Sequence, residues 1–151
     1  MGSREDTAMD HADWLDSLDC LGHAIAVAGA GQEAHVLRLF LDLAERVPER
    51  ALMQGLPLPD RKRIEAALAA GAVESAILIL LGEDSGFCLS RGADGAPLAS
   101  ILLPYQFEET TSGGASLGLA CLNALVGALT SEMPQPRLNA LLEMPAGTML
   151  H

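Results

Sequence analysis

Along residues 10–28, Trp14, Leu15, Leu18, Leu21 and Ile25 recur at spacings of three and four, while Asp13, Asp16 and Asp19 fall on other faces. That period predicts an amphipathic helix. After Gly29-Ala30-Gly31 the pattern restarts over about Gln32 to Val47. Val36, Leu37, Phe40, Leu41, Leu43, Ala44 and Val47 align against a stripe of His35, Arg38, Asp42, Glu45 and Arg46. Pro48, with no N–H to donate, ends this second helix or starts the next turn. Leu56-Pro57-Leu58-Pro59 then reads as a linker. Asp60 follows as the N-cap of a short helix, Arg61 to Ala70, closed by Gly71.

Residues 72–81 are continuously apolar from Ala76 onward, which suits a buried strand or a short buried helix. The run contains Ala and Leu and follows a helical segment without a strong turn, so helix is favoured. The period then changes to two. Gly86 to Arg91, the turn Gly92-Ala93-Asp94-Gly95 and Leu98 to Leu103 read as a β-hairpin, with Pro104 closing the second strand. A third strand is expected at Gln106 to Thr111, where alternation sets Phe107, Glu109 and Thr111 against Glu108 and Thr110.

Ser112-Gly113-Gly114 is expected to open a last helix, Ala115 to Thr130, whose only polar side chains are Ser116, Asn123 and Thr130. Its small side, Ala120, Ala124, Gly127 and Ala128, suits close approach by a sheet. Leu122, Leu125, Val126 and Leu129 then require a second layer, either the N-terminal helices or another subunit. The fold class predicted is α+β: a helix-rich N-terminal half, a three-stranded antiparallel meander and a buried C-terminal helix. Residues 1–59 form the N-terminal helical segment, 60–133 an α-β-β-β-α unit and 134–151 an arm with Leu138, Leu141 and Leu142 as docking residues, together one compact domain.

Composition sharpens this picture. Half the chain is apolar but only 3% is aromatic, so the core is expected to be Leu and Ala in closely packed helices. A chain of 151 residues buries roughly 70% of its extended surface without metal or disulfide. The longest apolar stretch, Leu117 to Leu129, is interrupted by Asn123 and is shorter than the roughly 20 residues that span a bilayer. Cys20, Cys88 and Cys121 are odd in number, widely spaced and set in apolar surroundings, which predicts reduced core thiols. The acidic start, Met-Gly-Ser-Arg-Glu-Asp, differs from a secretory leader, and a cytoplasmic location is expected.

Charge narrows the partner class. The net charge is -11, and its distribution is uneven. Arg38, Arg46, Arg50, Arg61, Lys62 and Arg63 are balanced by Glu33, Asp42, Glu45, Glu49, Asp60 and Glu65, whereas both flanks are strongly acidic. Such a balance repels phosphate backbones and anionic membranes and favours a basic protein partner. Asp10, Asp13, Asp16 and Asp19 are the first candidate docking residues. Glu108 and Glu109, expected on opposite faces of a strand, are the second. Arg61, Lys62, Arg63 and Arg91 are candidates for holding an anion.

Catalytic and metal chemistry finds little purchase. Cys20-x-x-His23 is the one tight pair, and with His11 nearby it still falls short of a ligand set. Cys88 in a strand and Cys121 in an apolar helix are expected to be shielded, with raised pKa values. Thr110 to Ser116 could present backbone N–H groups to an anion but lacks the lysine of a phosphate loop, so a capped helix start is the expectation. No catalytic residue, cofactor or metal is assigned.

Gly86-Phe-Cys-Leu-Ser-Arg91, Leu98-Ala-Ser-Ile-Leu-Leu-Pro104, Glu108-Glu109 and the Ala-Leu helix after Gly114 resemble small alphaproteobacterial and phage proteins of no assigned chemistry. Residues 72–130 also loosely resemble the phage α-β-α sandwich domain. The resemblance implies a small α+β domain associated with mobile elements. The order helix, three strands, helix is similar to a double-stranded-RNA-binding domain, whose last helix opens with phosphate-contacting lysines. Here those positions are Gly114, Ala115, Ser116 and Leu117, and no Lys or Arg occurs between Arg91 and Arg137. RNA binding therefore does not carry over.

The resulting expectation is a non-enzymatic interaction or inhibitor protein that docks its acidic surface on a basic protein site, where it would block nucleic-acid binding. A homo-oligomer that binds or sequesters a small anion is the alternative. A hydrolase using Cys20 and His23 comes third.

Overall fold

The computed structural model describes residues 9–131. The arm at 134–151 lies outside the described residues. Helix α1 (His11–Val27) starts where Asp10 caps it, its carboxylate accepting from the Asp13 N–H at 2.8 Å. Trp14, Leu18, Leu21 and Ile25 form its buried stripe, as their spacing predicts. Helix α2 (Glu33–Ala44) packs beside it, and the Trp14 indole N–H donates to the Leu43 carbonyl at 2.8 Å. This bond lets a large ring with one polar atom lie fully inside the core.

Of the stretch expected to be a linker, Leu56 is buried while Pro57 and Leu58 are exposed, and the chain just before it is docked. A single 3-10 turn, Arg50–Met53, buries Leu52 and Met53, and Leu56 follows them into the core. Gln54 closes the turn at φ 57°, and the Tyr105 N–H donates to its carbonyl at 3.3 Å. Leu52, Met53 and Leu56 are large apolar side chains that are buried out of water, so the chain docks as far as Leu56 and Pro57 and Leu58 stay exposed. Helix α3 (Arg61–Ala69) is capped by Asp60, which accepts from the Arg63 N–H, and helix α4 (Val73–Leu81) resolves the ambiguous apolar run as helix.

The meander comprises β1 (Gly86–Arg91), β2 (Pro97–Leu102) and β3 (Thr110–Gly113), all antiparallel in the order β1-β2-β3. The hairpin turn falls where expected. Gly92 donates to Ala96, Gly95 donates to Gly92, and Asp94 accepts from the Ala96 N–H. The third strand begins later than the alternation suggested, because Thr110 pairs with Ile101. The residues before it form a loop anchored by the Gln106 side chain, which donates to the Ala128 carbonyl at 2.8 Å.

Helix α5 (Leu117–Thr130) is the centre of the molecule. Ser116 is its N-cap, accepting from the Leu119 N–H, while Ser112 and Gly113 finish β3. One side of α5 packs on β2 and β3, another on α1, and α4 and α2 complete its cover. The small residues do what their position predicted: a Cβ on Gly127 would lie 3.2 Å from the Thr110 methyl. The second layer is thus supplied by the chain's own helices, and Leu119, Leu122, Leu125, Val126 and Leu129 are all buried. The buried residues of every element from Trp14 to Leu129 belong to one cluster. The fold is α+β.

Candidate functional site

The neutral middle of the sequence turns out to be paired with itself. The Arg38 guanidinium on α2 contacts Glu65 on α3 at 3.0 Å. Arg61 reaches Asp42 at 2.7 Å, Glu45 at 3.1 Å and Glu65 at 3.8 Å. Hydrogen bonds to these carboxylates hold both guanidinium groups even further above their ordinary range. The Arg38 side chain in turn holds Glu65 below the usual carboxylate range. The first turn of α3 is an unfavourable place for a cation because the helix dipole is positive there. Arg61 is stabilised by leaving that field sideways, toward the acids of α2.

Of the four candidate anion-binding residues, Arg61 is engaged in this network and Arg91 donates to the Gly95 carbonyl of its own hairpin. Lys62 and Arg63 are exposed and make no ion pair among the described residues. Helix α3 packs on α4, and the hairpin lies elsewhere in the fold, so the four cations do not form one cluster.

The acids of α1 have a different environment. Asp13, Asp16 and Asp19 are exposed along the helix flank opposite Trp14 and Leu18. Asp10 differs in being used as a cap. His23, one turn beyond Asp19, donates through Nδ1 to the Asp19 carbonyl at 2.9 Å, since a carbonyl can only accept. Its ring lies 3.9 Å from the Asp19 carboxylate, and both side chains are largely in solvent, at 80% and 70% exposure.

Asp19 and His23 form one wall of an open groove of about 240 Å³ between α1 and α5, with Asn123 and Thr130 on the other wall. Gly22, Ala26, Val126 and Gly127 also line it. Sequence reasoning named Asp19 but missed the groove, because residues a hundred positions apart meet only through helix packing. The spacing Asp19, His23 and the glycine between them was the available signal.

Glu108 and Glu109 are exposed, but they sit in the loop before β3 and not on the strand. Their expected disposition on opposite strand faces is therefore corrected. Two of the thiols are corrected as well: Cys20 and Cys88 are exposed, and only Cys121 is buried. Cys20 lies beside the buried stripe of α1, and Cys88 lies on an edge strand exposed along its whole length. Burial pushes the Cys121 thiol up to about 11, as expected for an apolar helix. Among the described residues no group of three His, Cys, Asp or Glu side chains converges as metal ligands would, and no helix is long and apolar enough to cross a membrane.

No protein-family model, curated protein or solved structure matches the chain.

Proposed function

We propose that this protein is a non-enzymatic interaction module that docks the acidic flank of α1 on a basic site of another protein. The observation that carries the reading is a contrast in charge use. Arg38 and Arg61 are consumed by acids of α2 and α3, whereas Asp13, Asp16 and Asp19 face solvent with no Lys or Arg paired to them among the described residues. An uncompensated row of carboxylates beside an open groove suits a Lys or Arg side chain of a partner, with Asp19 as the counter-charge at the groove wall. Where the basic site normally holds nucleic acid, the module competes for it.

The test is capture of partners from host lysate by the full chain and by a variant carrying Asp13→Asn, Asp16→Asn and Asp19→Asn. Capture that weakens with salt and disappears in the triple variant is the expected result, because rim charges act mainly through steering and screened attraction. Identical capture by both proteins refutes the role of α1.

A further inference from the structure

Strand β1 overhangs the fold. All six of its residues are exposed, and α5 packs under β2 and β3 instead. The register places Phe87, Leu89 and Arg91 directly opposite Ile101, Ala99 and Pro97, so these side chains share the sheet face that elsewhere buries Ile101 and Ala99. With no helix beneath them, Phe87 is 47% exposed and Leu89 39% exposed. The backbone is open too. Gly92 donates to Ala96, so counting back in twos, Ser90, Cys88 and Gly86 turn their backbone groups toward β2. Phe87, Leu89 and Arg91 turn theirs to the free edge, where among the described residues no hydrogen bond meets them. The strand carries no proline, no lysine and no bulge, and its one charge, Arg91, stands at its end.

We propose that a second copy of this chain occupies this edge, pairing β1 with β1 antiparallel to make one six-stranded sheet across a two-fold axis. Charge selects a copy over an unrelated strand. Arg91 ends β1, and the exposed Glu83 and Asp84 lie just before its start. An antiparallel copy brings each Arg91 to the acidic end of the other strand, twice per dimer, and Arg91 is the only cation among described residues from 66 to 131. The register centred on Cys88 uses the edge best. It sets Phe87 against the partner's Leu89 in hydrogen-bonded positions, extends the apolar face, and leaves Cys88 opposite the partner's Cys88 in a non-hydrogen-bonded pair. Cα atoms in such a pair are about 4.5 Å apart, within reach of a disulfide. The helix α1 takes no part in this edge, so the inference stands or falls independently of the acidic docking face.

The experiment uses the full chain with Cys20→Ser, so that Cys88 is the exposed thiol among the described residues. Sedimentation should give twice the 15.8 kDa chain mass, and mild oxidation should give a covalent dimer that Cys88→Ser abolishes. Leu89→Lys should shift the mass to that of a monomer while leaving the circular dichroism unchanged, since the side chain is not in the core. Arg91→Asp should weaken the dimer at least tenfold, and adding Asp84→Arg should restore it. A monomer at hundreds of micromolar overturns the proposal. A dimer that neither crosslinks through Cys88 nor responds to Leu89→Lys and the Arg91–Asp84 exchange overturns it equally, because another face would then hold the copies together.

Discussion

Gly114 sits where β3 hands the chain to α5, and the constraint there is contact with backbone. A Cβ at this position would lie 2.5 Å from the Ala120 nitrogen and 2.8 Å from the Leu119 carbonyl carbon. Neither atom can swing aside as a side-chain end can, so the first turn of α5 would have to move. Gly95 is restricted for a different reason: its φ is +86°, but nothing lies within 4 Å of an added Cβ. Alanine at Gly95 meets only the left-handed backbone penalty, about 1–2 kcal/mol. Alanine at Gly114 combines overpacking with displacement of the sheet-to-helix joint, and about 3 kcal/mol is expected. Urea unfolding of the two variants gives the order directly. A Gly114→Ala protein more stable than Gly95→Ala would show that α5 does not approach the strand end this closely. Both glycines were visible in the sequence as turn signals, but which one is crowded could not be read there, because the crowding comes from a residue in the next element.

Elements were legible wherever their pattern was local. The Trp14 stripe, the Asp60 cap and the Gly92-to-Gly95 turn each depend on a few neighbouring residues, and each falls as predicted. The docked segment around Leu52 and the delayed start of β3 depend on distant partners: Tyr105 against Gln54, and Gln106 against Ala128. The joint between α2 and α3 is likewise non-local, since a balanced composition did not disclose that Arg38 would meet Glu65. That joint has a definite pH dependence. The Arg38 guanidinium hydrogen-bonds Glu65 and holds its folded pKa below the ordinary 4.5. A lowered folded pKa means that the stabilisation is present above the unfolded value and is lost as pH falls through the folded one. The urea midpoint of the native protein should therefore fall more between about pH 6 and pH 3 than that of Glu65→Gln, which has no proton to gain at this position. Because the pair is exposed, the difference should be modest and should shrink in salt. Equal falls in both proteins would mean that Glu65 and Arg38 do not pair in solution.

At the scale of the whole molecule, the sequence suggested a helical N-terminal segment followed by an α-β-β-β-α unit, and the packing makes the two interdependent. Helix α5 is apolar on nearly every side, and no three-stranded sheet can cover more than one of them. Its remaining sides are closed by α1, α4 and α2, and α1 approaches so closely that a Cβ on Gly22 would lie 3.2 Å from Val126. Neither part has a complete core without the other, so one cooperative unfolding transition is expected. The chain carries its own reporters for this. Trp14, the only tryptophan, senses the α1–α2 contact, and the buried Cys121 thiol senses α5. In a Cys20→Ser, Cys88→Ser protein, tryptophan fluorescence and Cys121 labelling should change at the same urea concentration. Separate midpoints would mean that the N-terminal helices come away first and that the α5 unit survives alone. Leu125→Asp gives the complementary result: Leu125 is fully buried, and an unpaired carboxylate there costs several kcal/mol, a large share of the roughly 5–15 kcal/mol that holds a domain together. Both reporters should then read as unfolded without denaturant. A Leu125→Asp protein that keeps its tryptophan buried would show that α1 and α2 hold together without α5, which the single core does not allow.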